Sequence, residues 1–205
     1  MEKLTTDYFQ RMIESAAKNI TERADEFSQL DAVLGDGDHG EAISTAFQVI
    51  AKSATGSKDF KTLLGDMGFG VMLETSGSTS TLLGGFLLGM SDCVPAATEI
   101  DAQQVKAMFR GGLEGVVKNT KAKRGDKTMM DALIPAIEAM EATDSNDVKE
   151  LFNVAAQAAL QGVEDTIPMK ANFGRARNLG DKTIGHPDAG ATSWACMFQS
   201  FASEL

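Results

Sequence analysis

The sequence predicts an all-α fold in which eight helices form an antiparallel up-and-down barrel or bundle. Apolar residues recur at three- and four-residue spacing along most of the chain, and alternating strand patterns are nearly absent. The connections between helical segments are short, which favours antiparallel neighbours. Periodicity alone does not choose barrel over bundle. With 205 residues and no linker or internal repeat, we expect a single domain over residues 1–205.

Apolar stripes place the predicted helices in order. The first stripe runs from Tyr8 to Phe27, and the last runs from Trp194 to Leu205. We interpret the methionine and phenylalanine residues of these stripes as core, since buried apolar faces are the usual reason for such spacing. The eight predicted helices span residues 5–27, 40–54, 58–73, 78–92, 101–119, 128–142, 147–167 and 188–203.

Helix-capping patterns support two of these boundaries. Asp101 is followed by Gln104, and Asp147 is followed by Glu150, which is the spacing of a capping box. Pro135 falls inside the sixth predicted helix, where it is expected to kink the helix or to move its start later.

Composition and charge exclude several classes of protein. The net charge of −10 argues against nucleic acid or an anionic membrane as the main partner. The most apolar stretch, Leu82–Met90, is too short to span a bilayer, and the N-terminus lacks the apolar region of a signal peptide. The presence of only two cysteines, without a C-x-x-C pair, argues against a disulfide framework. We therefore expect a soluble, cytoplasmic protein.

Three segments resist the helical interpretation and carry most of the unusual polar residues. They are Leu30–Gly40, Lys121–Thr128 and Ala171–Gly190. Loops positioned by a rigid scaffold are where binding and catalysis concentrate, and long loops are usually functional or disordered. Apolar residues within the third segment argue against disorder. We expect all three to contribute to a functional site.

The first segment predicts a site for a hard metal ion. Asp31, Asp36 and Asp38 stand close together between glycines, and carboxylate oxygens suit Mg²⁺ or Ca²⁺. An EF-hand is excluded, because Phe47 stands where its bidentate glutamate belongs. The alternative is a solvated turn whose aspartates cap the following helix. His39, beside the aspartates at the predicted helix start, is a candidate contact to a bound anion.

The other two of these segments, together with the stretch Glu74–Gly84, have residues that suit a phosphate or nucleotide. Each of them is weak evidence by itself. Glu74–Gly84 offers hydroxyls and a helix N-terminus without a Walker A sequence, and it could equally be an ordinary N-cap. Lys121–Met130 could face a phosphate or ribose through Lys127 and Thr128, or could be a solvated turn. In the segment Ala171–Ser193, Arg175 is a natural ligand for a phosphate or for the adenine side of a nucleotide, and the Asp188–Gly190 stretch stands at a predicted helix start.

Taken together, these segments resemble the nucleotide-binding L subunit of dihydroxyacetone kinase, the DhaL or DAK2 family. The resemblance is carried by LDAVLGDGDHG, SGSTSTLLG, AKRGDKTMMDALIPA and GRARNLGDKTIGHPDAGATS, which extend over residues 30–193. It implies a barrel of eight antiparallel helices with a nucleotide at one end. Two departures stand out: Ser80 replaces a usual glycine, and Phe173 stands where a basic residue is common.

The resemblance implies specific site residues. Asp31, Asp36 and Asp38 would coordinate two Mg²⁺ ions that bind the phosphates of ADP or ATP. The residues expected to contact the nucleotide are His39, Gly40, Glu41, Ala42, Ser78, Thr79, Thr120, Met129, Arg175, Asp188, Ala189 and Gly190. Thr120 and Met129 would lie beside the base. No residue is expected to act covalently, since the two histidines, His39 and His186, both lie inside nucleotide-site motifs.

The resemblance also implies a division of labour. This chain would donate the phosphoryl group to a ketose held on a separate K subunit, so we expect a phosphotransferase that is inactive alone. ATP could exchange freely, or bound ADP could be rephosphorylated by a phosphohistidine protein of the phosphotransferase system. We further expect a homodimer. The alternatives are the nucleotide domain of a fatty-acid kinase and a non-catalytic regulator of a transcription factor.

Overall fold

The computed structural model describes residues 1–56 and 59–205, and nearly all regular structure in it is helical. The predicted start of the third helix at residue 58 falls outside the described residues. Within the described residues there are nine α-helices, one 3₁₀ helix and two short strands. The α-helices are α1 (Thr6–Glu22), α2 (Ala24–Leu34), α3 (His39–Ser53), α4 (Phe60–Glu74), α5 (Ser78–Asp92), α6 (Ala102–Val117), α7 (Met130–Ala142), α8 (Val148–Thr166) and α9 (Ala189–Glu204). The 3₁₀ helix covers Ala176–Thr183.

The predicted all-helical fold is confirmed, but the count of eight helices misses a break in the first one. The chain leaves helical geometry at Arg23, where φ is −104° and ψ is 10°. The Arg23 guanidinium then pairs with Glu26 and lies 5.2 Å from the ring centroid of Phe27. The second helix, α2, runs on to Leu34 and ends at Gly35. Part of the predicted loop 30–40 is therefore helix, and Asp31 lies in the last turn of α2.

The two strands form a small antiparallel ribbon that the sequence did not predict. Strand β1 (Lys3–Thr5) pairs with β2 (Glu99–Asp101), with Leu4 opposite Ile100. Both of these side chains are buried against the helices. Three residues per strand are too few to produce a recognisable alternating pattern.

The core is built from the apolar stripes, as predicted. Phe109 contacts several other rings, including Phe152 at a centroid distance of 5.4 Å and nearly perpendicular, an arrangement that aromatic pairs favour. Phe9, Met12, Met108 and the other buried apolar residues belong to the same cluster. No helix within the described parts of the chain combines the length and the apolar character needed to cross a membrane.

The predicted caps are confirmed at Asp101 and partly at Asp147. Asp101 forms a full capping box with Gln104, whereas the Asp147 side chain accepts from the Lys149 amide without a box. Pro135 lies inside α7. Because proline lacks an N–H, it leaves the carbonyl four residues earlier without its helical donor.

Helices α5 and α6 pack with their backbones in close contact. A Cβ added at Gly115 would overlap the carbonyl oxygen of Gly85, and one added at Gly89 would overlap that of Gly111. The pairing of 85 with 115 and of 89 with 111 shows that the two helices are antiparallel. The N-terminus of α5 and the C-terminus of α6 are thereby fixed at the same end of the molecule, where the candidate site lies.

Candidate functional site

The three segments that resisted the helical interpretation meet at one end of the helices and line a single cleft. The cleft has two joined compartments. The polar compartment, of about 360 Å³, is lined by the acidic segment, the N-terminus of α5 and residues 173–176. The apolar compartment, of about 830 Å³, extends between α5, the end of α6 and α9. His39, Ser78, Thr79, Asp188 and Gly190 line both compartments.

The three aspartates of the acidic segment converge in the polar compartment. Asp31, Asp36 and Asp38 each offer one carboxylate oxygen, and these oxygens lie within 4.8 Å of one another. Asp31 Oδ2 accepts hydrogen bonds from the Gly37 amide at 2.9 Å and the His39 amide at 3.4 Å. Asp38 occupies the N-cap position of α3, yet its side chain makes no capping hydrogen bond. Capping therefore accounts for Asp31 in part, and it does not account for Asp38.

The glycines of the segment have distinct physical roles. At Gly35, a Cβ would lie 2.5 Å from Asp31 Oδ1, so the position keeps the carboxylate accessible. Gly37 has a φ of 79°, a left-handed conformation that glycine adopts without strain. On the opposite wall, the Arg175 guanidinium forms an ion pair with Asp36. Arg175 therefore lies directly beside the predicted metal ligands.

The N-terminus of α5 lines the cleft, and the first amides of a helix have no partner within the helix. Gly77, with a φ of 94°, precedes the helix and makes no side-chain cap, and Ser78 and Thr79 follow it. Ser80 is buried, and its hydroxyl donates to the carbonyl of Ser76 at 3.0 Å and also lies 2.6 Å from Thr75 Oγ1. Ser80 does not line either compartment. The departure from the family's glycine thus places its side chain away from the cleft.

The apolar compartment contains both residues that the resemblance places beside the base. Thr120 and Met129 line it, together with Leu82, Val117 and Trp194. The Thr120 hydroxyl accepts from the Ala122 amide at 3.1 Å. Trp194 is the single tryptophan of the chain and is 3% exposed. An apolar compartment beside a polar one suits a ligand with an aromatic part and a charged part.

The start of α9 lines both compartments through Asp188 and Gly190. Asp188 caps the helix by accepting from the Ala191 amide at 2.7 Å, and its own amide donates to Thr166 Oγ1 at 3.0 Å. Burial raises the pKa of Asp188 to about 7. His39 Nε2 lies 2.8 Å from Ser193 Oγ, and burial lowers the pKa of this imidazole.

Most of the predicted site residues reach the cleft, and two do not. Those that line it are Asp31, Asp36, Asp38, His39, Ala42, Ser78, Thr79, Thr120, Met129, Arg175, Asp188, Ala189 and Gly190. Gly40 instead lies against α2, where a Cβ would overlap the carbonyl oxygen of Ala24. Glu41 is exposed on α3 and lines neither compartment.

Sequence reasoning missed Trp194, and of its two alternatives for Lys127 the structure excludes only the solvated one. Trp194 looked like core because its stripe is apolar, and periodicity does not reveal that one edge of it faces a cavity. Lys127 lies in the wall of the polar compartment and is not solvated. It is 2% exposed, and its amine is held by two backbone carbonyls.

The fold and the cleft define a class: an all-helical domain whose ligand-binding end joins an acidic cluster, a helix N-terminus and an apolar compartment. Residues 33–203 match the family model of the DAK2 domain, and the chain belongs to that family. This confirms the resemblance read from the sequence motifs.

Two relatives match this chain over most of their own length, and a third is a longer protein. The chain is 35% identical over 205 residues to "PEP-dependent dihydroxyacetone kinase 2, ADP-binding subunit DhaL" of Listeria innocua, with 96% of this chain and 95% of the relative covered. It is 32% identical over 177 residues to the corresponding ADP-binding subunit DhaL of Escherichia coli, with 84% of each chain covered. The match to "D-erythrulose kinase" of Mycolicibacterium smegmatis, at 28% identity, covers 34% of that longer protein.

A solved structure supports the fold. The dihydroxyacetone kinase from C. freundii in complex with AMP-PNP and Mg²⁺ superimposes with a TM-score of 0.69 at 23% identity. The superposition covers 96% of this chain and 33% of that one. At this identity the likeness establishes the shared helical fold.

Proposed function

We propose that this chain binds ADP or ATP with Mg²⁺ and serves as the phosphoryl-donor subunit of a dihydroxyacetone-type kinase. The single observation that carries the proposal is the convergence of Asp31, Asp36 and Asp38 within 4.8 Å at the polar end of a half-apolar cleft. Membership of the DAK2 family, with relatives named ADP-binding subunits, supports the same conclusion.

The donor set of the acidic cluster fits Mg²⁺. All three side chains supply hard oxygen ligands, and the cluster contains no nitrogen or sulfur donor. Three carboxylates this close repel one another, and a divalent cation offsets that repulsion. We propose that Asp31, Asp36 and Asp38 hold the metal, as two ions. Bound there, Mg²⁺ would neutralise phosphate charge in the transfer.

The remaining residues would position the nucleotide between the two compartments. Ser78 and Thr79, at the N-terminus of α5, line the polar compartment, and the unpaired amides of a helix N-terminus suit phosphate oxygens. Arg175 would add a charge-assisted contact on the other wall. Thr120 and Met129 would flank the base in the apolar compartment. Positioning of this kind is most of what phosphoryl transfer requires of a protein.

The relatives favour one of the two donor schemes. The full-length relatives from Listeria innocua and Escherichia coli are named PEP-dependent, and the erythrulose kinase match is to a third of a longer chain. We therefore propose that ADP stays bound and is rephosphorylated in place by a phosphohistidine protein of the phosphotransferase system. The ketose would be held on a separate K subunit. Nothing in these relatives favours the fatty-acid-kinase or regulator alternatives, and the homodimer stays a prediction.

Metal-dependent nucleotide binding is the direct test of this proposal. ADP should raise the melting temperature only when Mg²⁺ is present, because a ligand that binds the folded state stabilises it by mass action. Quenching or shifting of Trp194 emission on titration would report occupancy of the apolar compartment independently. Equal stabilisation by ADP in excess EDTA would contradict the metal site.

A further inference from the structure

Lys127 lies buried beneath the cleft and joins two elements that are distant in sequence. It belongs to the turn between α6 and α7, and only 2% of it is exposed. Its Nζ donates to the carbonyl oxygens of Thr166 and His186, each at 2.5 Å. Thr166 ends α8, and His186 lies just before α9. The side chain therefore ties the α6–α7 turn to the start of α9.

The backbone conformation at this position favours glycine, so the presence of a lysine here is explained by what its side chain does. Lys127 has a φ of 60°, and among the described residues it is the only non-glycine residue with a positive φ. Glycine adopts that conformation more easily. The turn is shaped separately by Asp131, whose carboxylate accepts hydrogen bonds from the Gly125 and Thr128 amides. The lysine amine is therefore not needed to close the turn itself.

A second contact holds the same stretch from the other side. The Asp188 amide donates to Thr166 Oγ1 at 3.0 Å, and Asp188 Oδ1 accepts from the Ala191 amide at 2.7 Å to begin α9. Two residues further on, a Cβ on Gly190 would lie 3.3 Å from the Met129 Cβ. Residues 186–190 are thus anchored by the Lys127 amine and the Thr166 hydroxyl directly against a wall of the apolar compartment.

We propose that Lys127 is a positioning residue for nucleotide binding: it holds residues 186–190 against Met129 and so sets the width of the apolar compartment. The inference rests on the proposed function, in which that compartment takes the base. A direct contact from Lys127 to phosphate is the rival role, because the residue also lines the polar compartment. Two of its three N–H donors are already used by backbone carbonyls, which favours positioning.

The test is a double-mutant cycle on Lys127→Met and Thr166→Val, with the affinity for Mg-ADP read from Trp194 fluorescence. Each change releases the same stretch, so each should raise Kd by about tenfold, and the double variant should be no weaker than the worse single variant. Lys123→Met is the matched control, because it removes a charge from an exposed position of the same turn that does not line the cleft. It should leave Kd unchanged.

The other outcomes overturn the inference in distinguishable ways. Losses that multiply in the double variant would show that Lys127 and Thr166 act independently, which contradicts a shared anchor. Unchanged Kd in both single variants would show that the anchor is irrelevant to binding. If circular dichroism shows that Lys127→Met does not fold, Thr166→Val and Lys127→Gly decide by the same criterion, since glycine suits the backbone there. A wild-type chain that fails to bind Mg-ADP would refute the proposed function, and this inference with it.

Discussion

Replacing Asp38 with asparagine should change stability in opposite directions with and without ligand. Asp38 makes no capping hydrogen bond, and its carboxylate lies within 4.8 Å of the Asp31 carboxylate. Asp36 is already paired with Arg175, so it adds less to the repulsion. Two like charges at 4.8 Å repel by roughly 1 kcal/mol in a water-like dielectric. Asp38→Asn should therefore stabilise the ligand-free protein by about that amount, or roughly 2–4 °C in melting temperature.

The ligand-bound state should behave in the opposite way. At about a hundred times Kd, Mg-ADP should stabilise the wild-type chain by about 2.7 kcal/mol, or roughly 5–10 °C. Asp38→Asn removes a metal ligand, so most of that gain should disappear. The two melting curves should thus exchange order between excess EDTA and saturating Mg-ADP.

Thermal melts monitored by circular dichroism under both conditions provide the assay. Asp101→Asn is the control, because Asp101 caps α6 through the Gln104 amide and does not line the cleft. Asparagine caps a helix nearly as well as aspartate. If the acidic segment only caps α3, Asp38→Asn should melt like the wild type in EDTA and keep the full gain with Mg-ADP. That pattern would refute the metal assignment.

Three further predictions concern packing, the replaced glycine and pH. Gly115→Ala should cost about 1–3 kcal/mol in urea denaturation because its Cβ would overlap the Gly85 carbonyl, whereas Gly65→Ala, with ordinary contacts only, should be neutral or stabilising. Ser80→Gly should lower stability by about 1 kcal/mol and leave the Kd for Mg-ADP unchanged, since the serine hydroxyl points away from the cleft; a changed Kd would contradict that placement. In the ligand-free protein, a pKa of about 7 at Asp188 means that the folded state binds more protons than the unfolded state between roughly pH 4 and 7. Stability from this group is therefore lost as pH rises from about 4 to about 7, and Asp188→Asn should flatten that decline; a slope equal to that of the wild type over this range would contradict it.

The helical fold could be predicted because its apolar stripes are long and regular. The break at Arg23 could not, since no glycine or proline marks it, and the stripe continues from α1 into α2. The ribbon of β1 and β2 escaped for a related reason. A pairing of three residues depends on contacts between distant parts of the chain and leaves no local period.

In the candidate site, too, features within one segment could be predicted and contacts between distant segments could not. Asp31, Asp36 and Asp38 could be predicted to converge because they lie in one short, glycine-rich segment. The role of Lys127 could not be predicted, because its partners at Thr166 and His186 come from a distant part of the sequence. When whole motifs are transferred from a family, some residues without a place in the site are transferred with them. Gly40 is an example, because its position in this structure is explained by the packing of α3 against α2.

Reconstitution of phosphoryl transfer tests the central claim most directly. The chain would be incubated with labelled ATP and dihydroxyacetone, first alone and then with a matching ketose-binding K subunit. In a further incubation, the chain and the K subunit would be given dihydroxyacetone, ADP, phosphoenolpyruvate and the phosphohistidine donor proteins. Alone, it should give neither sugar phosphate nor labelled protein after denaturation; with the K subunit and the phosphohistidine donor, sugar phosphate should form. Acid-labile label on His39 or His186, or ketose phosphorylation by the chain alone, would contradict the account.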